Sequence, residues 1–141
     1  GYDMPRLSFH MGRWIKHGGW YPDRQLRLFN RKKSKWIGGH VHEKVEATSV
    51  GHLKNELRHW VFKDIADQVS ANNKYSTLGA KDLHDKGKKF CYSKLLLKPI
   101  SKFIETYILK LGFLDGSAGF IISVSAAYSV FLKFAKLKEL E

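Results

Sequence analysis

Apolar and polar positions alternate in the first part of the chain and follow helical spacing in the second part. Residues 53–60 fit both a strand and a helix. Alternation with β-forming residues predicts three strands before that point, at residues 6–11, 25–29 and 36–46. We therefore divide the chain into a strand-rich region, residues 1–61, and a helical region, residues 62–141. Together they predict an α+β fold, a few-stranded sheet followed by about three helices.

The first two predicted helices have recognisable start and stop signals. Asp64 is placed to cap the start of the first helix, and Gly87 is placed to end it. Pro99 suits the first turn of the second helix, because its missing N–H is not needed there. Apolar residues recur at helical spacing after Pro99, and Gly112 is the predicted end.

The third predicted helix extends from about residue 117 to residue 140, with Asp115 as its cap. Its residues 119–135 carry no charge before Lys133. This run is shorter than the roughly 20 apolar residues of a spanning helix. We interpret it as a core or interfacial helix with its lysines near lipid headgroups. A buried helix of a soluble domain is the alternative.

The 141-residue chain is basic, with 25 Lys and Arg against 13 Asp and Glu and a net charge of +12. Such a chain attracts polyanions: nucleic acid, sugar nucleotides, lipid phosphates or an anionic membrane surface. A solvated basic surface is the alternative. The single cysteine, Cys91, excludes an intrachain disulfide and a multi-cysteine zinc site, and it favours the cytoplasm. Because the chain begins at Gly1, we expect a fragment of a longer polypeptide.

Carboxylates, imidazoles and guanidinium groups lie beside aromatic residues in the first region, a combination that suits a sugar and a phosphate. Within it, Pro22 gives Asp23 a rigid approach to the predicted strand. A carboxylate fixed at a strand end is well placed for a general base. The alternative is a turn-forming Asp that accepts from backbone amides.

A second cluster is formed by residues 40–43, His-Val-His-Glu. On a strand His40 and His42 share one face, and Glu43 points to the other. Two imidazoles on one face can bind a metal or a phosphate, although two ligands make a weak metal site. A polar sheet face is the alternative.

An ordered set of segments resembles the second half of family 2 bacterial glycosyltransferases, most closely the lipopolysaccharide-core β-glucosyltransferase group. The segments are spread over almost the whole chain. They are residues 12–23, 27–31, 39–43, 75–77 and 113–119, together with Ala80, Gly87, Lys88, Pro99, Phe103 and Tyr107.

This resemblance implies a GT-A fold, with residues 1–61 as the C-terminal part of the catalytic domain and residues 62–141 as a helical, membrane-associating region. It also implies a nucleotide-sugar donor, a divalent metal (Mg or Mn) and inverting hexosyl transfer. In the family an Asp-x-Asp motif of the N-terminal half holds the metal. No Asp-x-Asp occurs in this sequence. We therefore expect this piece alone to be inactive.

The resemblance also implies roles for individual side chains. Asp23 is the candidate general base, and Glu43 is its rival. His42 is the candidate ligand of the metal or of a donor phosphate. The candidate substrate-binding residues are Arg13, His17, Trp20, Arg27 and His40.

The acceptor implied by the resemblance is lipid-linked or lipopolysaccharide glycan. We therefore expect a cytoplasmic protein, peripheral to the inner face of the inner membrane and attracted to its anionic surface. Two functions of other classes stay open: a non-catalytic basic domain that binds nucleic acid, and a membrane-anchoring domain. Against the first, the chain has no RNA-binding or zinc-finger signature.

Overall fold

A computed structural model describes residues 1–37 and 44–141. In these residues seven strands precede three α-helices, so the predicted α+β class and its order are confirmed. The strands are β1 Tyr2–His10, β2 Arg13–Ile15, β3 Asp23–Leu28, β4 Ser34–Ile37, β5 Lys44–Ala47, β6 Gly51–His52 and β7 Leu57–Trp60. The helices are α1 Ile65–Asp85, α2 Tyr92–Phe103 and α3 Gly116–Glu139.

β1 is the centre of the main sheet. Arg6 of β1 pairs with Asp23 of β3 and with Leu57 of β7, so these two strands lie on opposite edges of β1. β2 and β3 are both antiparallel to β1 and follow one another along the same edge. β6 and β7 are parallel to β1 on the other edge. The sheet is therefore only three strands wide.

The prediction of a single strand at residues 36–46 is wrong. β4 and β5 form a separate two-stranded antiparallel sheet in which Trp36 lies opposite Val45. Residues 53–60, which fitted two kinds of element, contain β7. Its parallel pairing with β1 decides in favour of a strand, because that pairing satisfies the backbone groups of both.

α1 begins and ends where its sequence signals place it. The Asp64 carboxylate accepts a hydrogen bond from the backbone N–H of Asp67 at 2.8 Å, as an N-cap should. Gly87 follows the helix with a φ of 66°, a left-handed conformation that glycine adopts without a Cβ clash. Both predictions are confirmed.

The predicted start of the second helix is wrong. α2 begins at Tyr92, seven residues before Pro99, so the proline lies inside the helix. A proline there removes one i→i−4 hydrogen bond. The helix continues from Ile104 to Leu109 as a π-helical segment and ends before Leu111, which has a φ of 56°. The predicted start of the helix was wrong because proline only prefers the first turn and does not prevent a helix from beginning earlier.

α3 packs against both α1 and α2. One apolar core joins its C-terminal half to α1 and α2 and is formed by Ala80, Phe134 and Leu137, with Leu83, Leu95 and Val130 against them. Lys136 of α3 adds polar contacts to α1, where its Nζ donates to the backbone oxygen of Asn73 at 2.7 Å. Within the described residues Gly112–Glu139 is also the one helical segment long and apolar enough to span a membrane. One side of this helix packs on two other helices, whereas Phe120, Val124 and Tyr128 are 48%, 44% and 44% exposed, so the interfacial interpretation stays a prediction.

A second core joins the helices to the sheet. Ile15 of β2 packs with Ala118 and Ile122 of α3, and Trp20 lies against this cluster. Asp115 occupies the N-cap position of α3, but its side chain makes no capping hydrogen bond. The predicted role of Asp115 as a side-chain cap is therefore wrong, because its carboxylate is turned to the strand region instead.

Candidate functional site

Asp23 stands at the start of β3, directly opposite Arg6 of β1. Its carboxylate forms an ion pair with the Arg6 guanidinium, and both side chains are about one-third exposed, at 33% and 28%. The Gln25 amide Nε2 donates a second hydrogen bond to the other carboxylate oxygen at 2.8 Å. Strand pairing and these two contacts therefore fix a carboxylate that is still open to a ligand.

His59 of β7 lies on the same face of the sheet, because it pairs with Ser8, two residues beyond Arg6 along β1. Burial lowers the pKa of His59 below its ordinary value, and the charges of Arg6 and Arg27 add to that shift. The Asp23 carboxylate opposes it. A neutral imidazole at neutral pH follows. Among the described residues, its Nδ1 is buried without a hydrogen-bond partner.

These groups border an open cleft of about 360 Å³. Its lining combines one carboxylate, one guanidinium, one imidazole and one indole, from Arg6, Ser8, Gly19, Trp20, Asp23, His59 and Val61. The Trp20 ring stacks on the ring of His10, with 5.9 Å between the two ring centroids. His10 is itself 3% exposed and contacts the Gln68 Oε1 of α1 through its Nε2 at 3.1 Å. The Trp20 wall of the cleft therefore rests on the sheet and on α1.

Arg27 extends this face along β3. Asp23, Gln25 and Arg27 are two residues apart, so they point to the same side of the strand. The Arg27 Nη2 donates to the Gln25 Oε1 at 3.4 Å. Arg27 lines a second pocket of about 330 Å³, together with Trp36 and Lys44, rather than the cleft itself.

Arg13 and His17 lie elsewhere, around the buried carboxylate of Asp115, which is 1% exposed. The Asp115 Oδ2 accepts from the backbone N–H groups of Lys16 at 3.1 Å and His17 at 2.8 Å. The Arg13 Nη1 donates to the backbone oxygen of Asp115 at 2.8 Å. The His17 Nδ1 is 3.2 Å from the Asp115 Oδ1 without hydrogen-bond alignment. Both side chains are thus engaged at the junction of sheet and helices.

This junction holds the segment that leads into the cleft. Asp115 fixes the backbone of Lys16 and His17, and the next N–H, that of Gly18, donates to the backbone oxygen of Lys110 at 2.8 Å. The N–H of Trp20 then donates to the His17 oxygen at 3.2 Å. The cleft wall at Trp20 is therefore tethered to the helical region through consecutive backbone contacts.

The structure brings together two of the residues chosen from sequence, Asp23 and Trp20, and places Arg27 farther along β3 at a second pocket. Arg13 and His17 form the separate Asp115 junction, and their substrate-binding roles stay predictions. His40, His42 and Glu43 lie outside the described residues. Within residues 1–37 and 44–141 no group of three or more His, Cys, Asp or Glu side chains is arranged to hold a metal ion.

Sequence reasoning missed Arg6, His59 and Gln25 as members of the cleft. Alternation within a strand gives a usable signal for Gln25, since it lies two residues after Asp23. Arg6 and His59 reach the cleft only through strand pairing. β7 is the parallel partner of β1 although it lies about 50 residues later, and no local sequence pattern encodes such a pairing.

Curated bacterial proteins match most of the chain. An uncharacterized glycosyltransferase of Rickettsia typhi is 32% identical over 125 residues, 82% of this chain and 43% of that protein. The lipopolysaccharide core biosynthesis glycosyltransferase LpsC of Rhizobium meliloti is 32% identical over 117 residues, 81% of the chain and 43% of LpsC. The chain is a homologue of bacterial glycosyltransferases. The resemblance found in the sequence is thereby confirmed.

This glycosyltransferase homologue spans less than half the length of the relatives it matches. A further uncharacterized glycosyltransferase, from Rickettsia prowazekii, shows the same proportions, at 31% identity over 81% of the chain and 42% of the relative. No family model matches the chain. No solved structure matches it either.

Proposed function

We propose that the protein containing this chain transfers a hexosyl group, with inversion, from a nucleotide-sugar donor to a hydroxyl of a lipopolysaccharide-core or other envelope glycan. The observation that carries the proposal is the cleft at Asp23 in a chain homologous to glycosyltransferases, one of which is named for lipopolysaccharide core biosynthesis. This chain then contributes the acceptor side of the reaction centre. Sugar and glycan are partners that its aromatic and charged lining suits.

Asp23 is proposed as the general base. A carboxylate that is fixed in place and open to a ligand is suited to accept the proton of a bound hydroxyl. The acceptor hydroxyl oxygen forms a bond to the anomeric carbon, the bond from that carbon to the diphosphate breaks, and the hydroxyl proton passes to the Asp23 carboxylate. Arg6 and Gln25 hold this carboxylate by one oxygen each, so its direction is set before substrate binds.

The other residues of the cleft have supporting roles in this proposal. Arg6 orients the Asp23 carboxylate through their ion pair, and Arg27 offers a cation to a phosphate or to an anionic acceptor. The neutral His59 imidazole lines the cleft and gives it a polar wall beside the sugar hydroxyls. Trp20 offers an aromatic surface of the kind on which a sugar ring packs.

The divalent metal implied by the resemblance stays a prediction. The donor set of the described residues does not fit it, because Asp23 supplies the one carboxylate among the described residues that line the cleft. We therefore derive no step through a metal. The assignment of His42 as a metal ligand stays a prediction, since His42 lies outside the described residues.

The test is Asp23→Asn in the protein that contains this chain, with sugar transfer to an envelope glycan acceptor as the readout. Removing a general base should lower kcat by about 10²- to 10⁴-fold. Asp85→Asn is the matched control, because Asp85 is 80% exposed and remote from the cleft. Glu43→Gln tests the rival base. Undiminished transfer by the Asp23→Asn variant would remove Asp23 from the mechanism.

A second variant, Arg6→Lys, distinguishes a general base at Asp23 from an Asp23 that contributes only to stability. Arg6→Lys keeps a cation beside the carboxylate, so it should retain far more activity than Asp23→Asn if proton transfer is what Asp23 supplies. If both variants lose activity equally and both unfold at lower temperature, the ion pair serves stability and the catalytic role is wrong.

A further inference from the structure

α2 exposes an unusually apolar stripe for a helix at the surface. Tyr92, Leu96, Ile100 and Ile104 follow one another at intervals of four residues and are 70%, 60%, 57% and 45% exposed. Leu97 lies beside them and is 60% exposed. Residues four apart share one face of a helix. None of the residues of α2 is fully buried, so this face has no partner within the described chain.

All charged residues in and around α2 are basic. Between Asp85 and Glu105 the sequence has six lysines and no acidic residue. Lys94 and Lys98 lie on α2, are exposed and form no ion pair among the described residues. They are four residues apart and form one row, and Lys94 is three residues before Leu97, so this row adjoins the Leu97 side of the stripe. The two lysines therefore border the apolar stripe along one side.

We propose that this α2 surface, the stripe of Tyr92, Leu96, Leu97, Ile100 and Ile104 with its flanking lysines, docks on an anionic phospholipid bilayer. An apolar face bordered by lysines is what a helix lying in the membrane interface requires. The proposal goes beyond the sugar-transfer function and does not depend on it. It assigns the peripheral attachment expected from the sequence to α2 rather than to α3.

Charge decides among the possible occupants of this surface. A second copy of the chain would pair the surface with itself in a two-fold dimer and bring lysines against lysines. Nucleic acid would satisfy the lysines and leave the apolar side chains in water. An anionic lipid surface satisfies both, since its headgroups attract the lysines and its acyl boundary covers the apolar stripe.

The test is sedimentation of the full chain with phosphatidylglycerol vesicles and with phosphatidylcholine vesicles. We expect binding to the anionic vesicles that weakens as salt is raised. Lys94→Glu with Lys98→Glu should weaken it about 25-fold or more, since each lysine near such a surface contributes about fivefold. Leu96→Ser with Ile100→Ser should weaken it by at least about tenfold. These side chains are exposed, so both variants should keep the fold.

Matched controls lie on other elements. Lys74→Glu with Lys81→Glu changes two exposed lysines of α1, and Leu28→Ser changes a 56% exposed leucine of β3. Each should bind anionic vesicles within about twofold of the unmodified chain. Equal weakening by controls and α2 variants would overturn the proposal, as would equal binding to both lipids. A dimer that the Leu96 and Ile100 changes dissociate would also overturn it, whereas Asp23→Asn should leave vesicle binding unchanged.

Discussion

Gly119 is the position where one added methyl group should damage this fold most. A Cβ at this residue of α3 would lie 1.8 Å from the backbone oxygen of Gly112 and 2.8 Å from its carbonyl carbon. A favourable carbon–oxygen contact needs roughly 3.5 Å. Because both opposing atoms belong to the backbone, no side-chain rotation can relieve the overlap. α3 would have to move away from the Gly112 turn.

The expected cost follows from two opposing effects. Overpacking typically costs about 1–3 kcal/mol and occasionally more, and because this overlap is severe and both opposing atoms are backbone we place its cost at about 3–5 kcal/mol. Replacing a helical glycine by alanine returns about 1 kcal/mol of helix propensity. Gly119→Ala should therefore lower the free energy of unfolding by about 2–4 kcal/mol. The shift of α3 would also pull Asp115 away from the backbone of residues 16 and 17.

Gly79→Ala in α1 is the matched control. Its added Cβ would lie 3.0 Å from the Cδ of Lys133, a flexible side chain that can move aside. The propensity gain then dominates, so stability should stay the same or rise by up to about 1 kcal/mol. Urea unfolding followed by far-ultraviolet circular dichroism measures both variants. If Gly119→Ala is as stable as the unmodified chain, the close contact at Gly112 is refuted. If Gly119→Ala and Gly79→Ala lose the same free energy of unfolding, the distinction between backbone and side-chain neighbours is refuted.

Two further predictions concern the junction and the cleft. Asp115→Ala leaves two backbone N–H groups without an acceptor and should lower the free energy of urea unfolding by about 2–4 kcal/mol, whereas Asp85→Ala should change it by no more than about 0.5 kcal/mol. Similar losses of stability in both variants would contradict a stabilising contact between Asp115 and the backbone of residues 16 and 17. The pKa of His59 is lower in the folded chain than in the unfolded one, so the unfolded chain binds more protons below the ordinary value of 6.5. Stability should therefore fall as pH drops below that value, and His59→Gln should reduce this slope; an unchanged slope would contradict a buried, neutral His59.

Elements whose signals are local were predictable from the sequence. The first helix has an N-cap at Asp64 and a left-handed glycine at Gly87, and both act within a few residues of the backbone they affect. The start of α2 was not predictable in the same way, because Pro99 lies within a helix that its neighbours sustain. The parallel pairing of β7 with β1 depends on residues about 50 positions apart, which no periodicity reports.

The candidate site was predictable only in part, for the same reason. Asp23 and Trp20 flank a turn that the sequence marks by itself, and the structure places both in one cleft. Arg6 comes from β1, the strand next to β3, and His59 comes from β7 on the far edge of β1, so only the register of the sheet reveals them. Arg13 and His17 carry the residue types of a binding site, yet their partner is Asp115, about 100 positions later.

Asp115 shows why a local rule and a tertiary contact give different answers for one residue. An aspartate before a helix usually satisfies the free N–H groups of the first turn. Here its carboxylate accepts from Lys16 and His17 instead, so the helical region contributes a fixed acceptor to the segment before Trp20. The same helical region presents the lysine-bordered α2 surface. If that surface rests on a membrane, the Asp115 contact holds the Trp20 wall of the cleft at a set position relative to the lipid.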